Sequence, residues 1–343
     1  MELIGQLGVV TLGIDAARAT AGALLVDKPA GPTSHDIVAF VRRTLKTSRV
    51  GHTGTLDPLA TGLLVILVGS ATRLAQFLAA DEKEYLADVR LGIATPTYDA
   101  ASLPPDVRYP MADVRYPMDA EIETVLDRFR GSFLQTPPPY SAKKIASVPA
   151  YKKARRNEPV DLKPVPVTVR ELEVVGSSDI GHRISEIGDR ASGIAGSDTS
   201  GLIRLRVAAS AGFYVRSLAH DIGQALGCGA HLEALRRTHV GRFRVEDART
   251  LDRLEAAGPA ALLPVDELLA DMPAATLTPE GTRRAAHGNP LSPSSHLEKG
   301  DSHLFSQKKV TVTFFRVRDQ EGRVLAVAEH RADGLLHPLV VLG

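Results

Sequence analysis

The segment Gly51-His-Thr-Gly-Thr-Leu-Asp-Pro-Leu-Ala-Thr-Gly62 sets a single carboxylate, Asp57, among three glycines and directly before a proline. Glycines let a loop turn sharply and Pro58 biases Asp57 toward extended backbone, so such a loop can present one side chain at a fixed point. A carboxylate held this way could attack as a nucleophile or simply brace an Asx-type turn, and spacing alone leaves both open. Two other chemistries do not fit. In an aspartyl-phosphate loop the acid precedes its Lys-Thr-Gly-Thr element, whereas Asp57 follows Thr53-Gly-Thr55. His35, His52 and His220 are scattered, with no H-E-x-x-H and no carboxylate cluster of ligand spacing, so neither a metal nor a cofactor is expected.

The second chemical feature is a basic run. Between Tyr140 and Lys163 stand Lys143, Lys144, Lys152, Lys153, Arg155, Arg156 and Lys163, against only Glu158 and Asp161. Charge runs are commonly solvated loops, but Tyr140 and Tyr151 put stacking rings among these cations, and that combination points to nucleic acid. Overall charge gives no such pointer. The 41 Lys and Arg balance 40 Asp and Glu for a net +1, so any basic patch is local.

Elements must position these residues. Ala23–Val26 reads as a strand, Lys28-Pro-Ala-Gly-Pro32 as a turn, and Ser34 as the N-cap of a helix with Ile37, Val41 and Leu45 on one face. Leu63–Val68 reads as a buried strand, and Ser70 caps a helix turning Leu74, Phe77 and Leu78 inward. Tyr85, Ala87, Val89, Leu91 and Ile93 alternate, which puts Tyr85 on an interior row. Asp119 opens a helix carrying Ile122, Val125, Leu126 and Phe129, with Gly131 at the C′ position. Leu202–Val207 is a further alternating strand, and Tyr214–Leu226 a helix ended by Gly227, so Arg216 lies in a first helical turn. Beyond Pro273 a short helix over Thr278–His287 is followed by strands at Val310–Val317, Val324–Ala328 and Pro338–Leu342. Helix and strand patterns interleave without a βαβ period or a G-x-G-x-x-G, which predicts an α+β fold with a substantial sheet and excludes a doubly wound one.

At 343 residues and 44% hydrophobic the chain can build one large or two smaller domains. Cys228 is its single cysteine, which fits a reducing compartment, and the cytoplasm is the expected location. Met1–Ala21 lacks a basic n-region and reads as a tail or first strand, while the apolar run Gly62–Gly69 is too short to cross a bilayer, so no membrane partner is expected. Asp-Val-Arg-Tyr-Pro-Met occurs at 106 and again at 113, as slippage in a surface loop would produce, and 177–201 is rich in Gly, Ser and Asp. Both are expected to be mobile loops.

Four stretches taken in order resemble the motifs of the TruB family of tRNA pseudouridine synthases. They are Leu24-Leu-Val-Asp-Lys-Pro-Ala-Gly-Pro-Thr-Ser34, the Gly51–Gly62 loop, Gly212-Phe-Tyr-Val-Arg-Ser-Leu-Ala-His-Asp221 and His231-Leu-Glu-Ala-Leu-Arg-Arg-Thr238. The resemblance implies a pseudouridine synthase fold, with a large mixed or antiparallel central sheet flanked by helices and a small C-terminal β-barrel like the PUA domain. It implies a catalytic domain over 22–268, holding a thumb-like basic insertion at about 139–166 and mobile loops at about 100–118 and 177–201, then a PUA-like domain over 272–343.

By the same resemblance Asp57 is the nucleophile and Tyr85 stacks on the target uracil. Tyr214 and Arg216 belong to the Tyr-x-Arg element, whose Arg pairs with Asp57 and keeps it ionised. His52 wedges into the T loop and Leu235 walls the uracil pocket. The substrate is then the T stem-loop of tRNA, with U55 flipped out and isomerised without a cofactor; a monomer is the default expectation. Lys143, Lys144, Lys152, Lys153, Arg155 and Arg156 contact the RNA backbone, as does Arg73, which stands where many relatives carry Lys. A guide-RNA-dependent relative and a tRNA-folding chaperone are the alternatives. An intact insertion between Pro139 and Val167 favours an enzyme that works without guide RNA.

Overall fold

The computed structural model describes residues 21–79, 81–103, 115–145, 147–175, 201–292 and 314–342. The expected N-terminal tail, most of the 106–118 duplication and nearly all of the 177–201 loop lie outside these residues. The strands are β1 (Gly22–Lys28), β2 (Val50–His52), β3 (Thr61–Val68), β4 (Lys83–Leu91), β5 (Gly131–Gln135), β6 (Lys144–Ile145), β7 (Val148–Pro149), β8 (Val165–Val174), β9 (Leu202–Ala209), β10 (Ala230–Val240), β11 (Phe243–Arg244), β12 (Ala274–Thr276), β13 (Phe314–Arg318), β14 (Val324–His330) and β15 (Leu336–Val341). The helices that bear on the site and its core are α1 (Ser34–Thr44), α2 (Ala75–Leu78), α3 (Asp119–Leu126), α4 (Ala150–Ala154) and α5 (Val215–Leu226).

Nine strands form the main sheet in the order β1-β3-β10-β4-β9-β8-β5, with β2 added on β3 and β11 on β10. β3 and β10 run parallel and the other pairs are antiparallel, so the sheet is mixed. Alternate residues of β1 and β3 feed two cores. Leu24, Val26, Leu64 and Ile66 meet Ile37 and Val41 of α1, Ile122 and Leu126 of α3, and Leu218 and Ile222 of α5. Leu25, Leu63, Val65 and Leu67 meet Leu74, Leu78, Val240 and Phe243 on the opposite face. A strand covered on both faces has no polar row, which is why 61–68 is a continuous apolar run.

Three local expectations are corrected. Thr33, not Ser34, caps α1, in a capping box with Asp36, because the Ser34 hydroxyl is drawn to Leu56 instead. The helix expected to begin at Ser70 is a 3₁₀ turn over Gly69–Leu74 followed by the single turn α2. Gly131 is not a C′ residue. The chain passes through a 3₁₀ turn at Asp127–Phe129, and Gly131, at φ +79°, opens β5.

The C-terminal strands form a four-stranded sheet in the order β12-β13-β14-β15, and among the described residues it does not close into the expected barrel. One face packs Phe315, Val317, Ala326 and Leu336 into a core of their own, while Val327 and Leu342 join the second core of the main sheet. No helix among the described residues is long and apolar enough to cross a membrane.

Candidate active site

The Asp57 loop is held from three sides. Within it, the Ala60 N–H donates to the Asp57 carbonyl at 3.1 Å, a β-turn with Pro58 in second place, so the turn reading of Asp-Pro is correct as far as the backbone goes. The Lys28–Ser34 segment forms one wall. The Ser34 hydroxyl accepts from Leu56 N at 2.9 Å and donates to Leu56 O at 3.1 Å. Gly31 N and Lys28 Nζ both donate to the Pro58 carbonyl, at 2.8 and 3.4 Å. Lys28 is fully buried, and burial brings its pKa down to about 8 although Asp57 opposes the shift.

Arg237 forms the floor. Only 2% exposed, its guanidinium donates to the carbonyls of Leu63 (2.7 Å), Gly54 (3.2 Å) and Thr55 (3.4 Å). Burial lowers its pKa, and the phenol of Tyr85, its cross-strand partner in the β10–β4 register, is the group that opposes this. Where β3 starts beside Arg237, Gly62 has φ +94°, and a Cβ there would lie 2.3 Å from the Arg237 carbonyl. Only glycine fits that approach.

Above the loop, Arg216 in the first turn of α5 meets Asp57 through two nitrogens, Nε to Oδ2 at 2.8 Å and Nη2 to Oδ1 at 3.1 Å. Arg216 is 7% exposed at its side chain and Asp57 34%, so the pair lies at the edge of the interior. The same guanidinium donates to the carbonyls of Thr97 and Tyr140, each at 3.1 Å, and lies 3.6 Å from the buried Asp99 carboxylate. One side chain thus ties the Asp57 loop, the 95–99 turn and the root of the basic insertion together. Burial pushes the Asp57 carboxyl above its ordinary range, Arg216 pulls it down and Asp99 pushes it up again. Loss of hydration is the largest influence on the carboxyl and the guanidinium the largest one opposing it.

Tyr214 sits at the N-cap position of α5, its backbone gripped by Gln135, which accepts from Tyr214 N at 2.8 Å and donates to its carbonyl at 3.0 Å. Burial raises the Tyr214 phenol. Tyr85 and Leu235 are buried in the same core cluster, on neighbouring strands β4 and β10. His52 ends β2 and meets the edge of the His35 ring at 5.8 Å; burial, His35 and Arg237 together lower its pKa and so favour its neutral form. The basic insertion is a small β6–β7 hairpin leading into α4, with Lys143, Lys144, Lys152, Arg155 and Arg156 exposed and Lys153 half-buried. Arg73 is exposed, and its Nη1 donates to the Val341 carbonyl of β15 at 2.5 Å.

Sequence reasoning missed Asp99, Gln135 and Arg237, whose partners are remote in the chain and leave no local pattern. Among the described residues no group of three or more His, Cys, Asp or Glu is arranged to hold a metal ion.

Residues 42–215 match the family model described as TruB family pseudouridylate synthase (N terminal domain), and 216–270 match the tRNA pseudouridylate synthase B C-terminal domain. Proteins named tRNA pseudouridine synthase B from Solibacter usitatus (strain Ellin6076) and Thermobifida fusca (strain YX) are 39% and 42% identical over 94% and 93% of this chain, and over 99% and 98% of their own lengths. Two solved structures share the fold, each with a TM-score of 0.64: an H/ACA RNP bound to a substrate RNA containing 2′-deoxyuridine, and a Cbf5-Nop10-Gar1 complex. They are 22% and 24% identical, covering 96% and 95% of this chain and 87% and 86% of theirs.

Proposed function

Belonging as it does to the TruB family of pseudouridylate synthases, this chain is a tRNA pseudouridine synthase, and we propose that Asp57 and Arg216 are its reaction centre, acting on U55 in the T loop without guide RNA. The observation that carries this is the two-bond pair itself, formed at the edge of the interior with the Asp57 side chain a third exposed. Pseudouridine formation breaks an N-glycosidic bond, turns the uracil and rejoins it through carbon, so the base must stay captive throughout. Asp57 is the nucleophile of that capture. Arg216 fixes the orientation of the carboxylate and offsets part of its lost hydration.

The uridine leaves its stack to reach Asp57, a cost of a few kcal/mol offset by stacking and phosphate contacts. Tyr85 supplies the stacking face, Leu235 and Tyr214 the walls, and His52 fills the space vacated in the T loop. A neutral imidazole suits that role, since it enters a stack without carrying charge into it. Lys143, Lys144, Lys152, Lys153, Arg155 and Arg156 meet the phosphates, and the hydrogen bond from Arg216 to Tyr140 sets their segment beside the reaction centre. Arg73 has one donor engaged with Val341 and keeps others for phosphate. We assign 22–268 to the catalytic domain and 272–343 to a PUA-like RNA-binding domain, and place a monomeric enzyme in the cytoplasm.

The test is pseudouridine mapping of unmodified tRNA incubated with purified protein and no guide RNA. Wild type is expected to modify one T-loop uridine and Asp57→Asn none. Persistent modification by the variant, or a requirement for guide RNA, refutes the reading.

A further inference from the structure

Arg216 and His220 are one turn apart on α5 and share a face. Segment 97–99 lies across that face. Both of its ends engage Arg216, through the Thr97 carbonyl at 3.1 Å and the Asp99 carboxylate at 3.6 Å, each to Nη1. Its middle residue, Tyr98, lies flat on the His220 ring, with centroids 3.8 Å apart and planes inclined by 7°.

Tyr98 also has a left-handed backbone, φ +62°, which a bulky residue keeps only where its surroundings over-determine it. The reversal at Tyr98 turns the carbonyl before it and the carboxylate after it toward one guanidinium. Backbone bonds anchor the far side, Tyr98 N to the Thr95 carbonyl at 3.1 Å and Leu232 N to the Tyr98 carbonyl at 3.0 Å. On the near side stands the His220 ring. Its Nδ1 is buried with no hydrogen-bond partner among the described residues, so it offers the turn a ring face and no polar bond at that atom.

We propose that the Tyr98–His220 stack is a positioning clamp, holding the strained 97–99 turn on α5 so that Arg216 is presented to Asp57 in its two-bond geometry. This rests on the reading of Asp57 and Arg216 as the reaction centre. Neither ring reacts; both act through Arg216. Once the clamp is loosened the guanidinium can tilt, and a misplacement of about 1 Å in a reacting constellation costs up to about 100-fold in rate.

The test uses full-length protein and unmodified tRNA. Tyr98→Asn deletes the ring but keeps a residue that tolerates left-handed backbone, and His220→Ala deletes the other half. Each is expected to lower kcat about 10- to 100-fold while KM for tRNA stays within about twofold. The double variant should be no slower than the worse single one, and Tyr98→Phe and His220→Phe should both retain wild-type kcat. Wild-type kcat in Tyr98→Asn, additive losses in the double variant, or equal losses in the Phe variants overturn the clamp. So does a kcat loss seen only where the thermal midpoint collapses. Asp57→Asn is assayed alongside: activity surviving there sinks the reaction centre, whereas the coupling between positions 98 and 220 reports on the stack alone.

Discussion

Arg216 spends its donors on two backbone carbonyls and one carboxylate: Asp57 through Nε and Nη2, Thr97 through Nη1 and Tyr140 through Nη2. A planar fork suits this better than a lysine, whose single ammonium could satisfy only part of the set. The electrostatics at Asp57 follow from the same contacts. In the proposed function Asp57 attacks as the ionised carboxylate, whose fraction falls as pH drops through its folded pKa; burial has raised that value and Arg216 works against the rise. Removing the guanidinium leaves only Lys28 against the desolvation, so Arg216→Gln is expected to move the acid limb of the single-turnover rate to higher pH. It should also slow the reaction at neutral pH by about 100-fold or more, as for loss of a fixed charge partner. An unmoved acid limb would mean that Asp57 does not titrate in the rate-determining step.

Helix α5 carries the densest set of site contacts. Its N-cap residue is gripped by Gln135, its first turn holds Arg216, and the Ser217 hydroxyl donates to the Thr136 carbonyl at 2.7 Å. Gly227, left-handed at φ +75°, ends it. The residue after His220, Asp221, is half-buried, and burial pushes its pKa from 3.8 up to about 6. With the folded value above the unfolded one, its contribution is fully present below about pH 4 and is lost as pH rises through about 6. Above that range the ionised carboxylate is a net cost. Asp221→Asn is therefore expected to stabilise the protein at pH 8 by about 1–2 kcal/mol, after discounting for partial exposure, and to give little at pH 4. Equal gains at both pH values in thermal melts would rule out the titration.

At the scale of the whole molecule the two sheets are joined by more than covalent linkage. Val327 and Leu342 enter the core formed by Leu25, Leu63 and Leu67. Phe77 meets the edge of Phe314 at 5.4 Å, and Arg316 pairs with Asp266 at 3.0 Å. Net charge of +1 provides no long-range attraction for RNA, so in the proposed function the attraction comes from the local run rooted at Tyr140. Replacing Lys143, Lys144 and Lys152 together by glutamine is expected to weaken tRNA binding and to flatten the plot of log affinity against log salt by about 2, at roughly 0.7–0.9 for each phosphate no longer neutralised. An unchanged slope would show that these lysines do not meet phosphate.

Sequence by itself determined what depends on near neighbours. The period-2 run of β4, the 3.6-residue face of α3, the glycine that ends α5 and the doubly covered strand β3 each rest on local backbone preference and on which side chains shun water, and both are written in adjacent residues. The four ordered motifs also carried the family and with it the pairing of Arg216 with Asp57. Tertiary structure alone decided contacts whose partners are far apart in the chain. Gln135 reaches Tyr214 across 79 residues, Arg237 supports Gly54 across 183, and Arg216 reaches Thr97 across 119. It also moved the cap of α1 from Ser34 to Thr33, raised the Asp57 carboxyl despite its partner, and, among the described residues, left the C-terminal strands an open sheet. Side chains that bond distant carbonyls leave no periodic trace, because their partners exist as a pair only once β3, β10 and β4 lie side by side and water has been driven from between them.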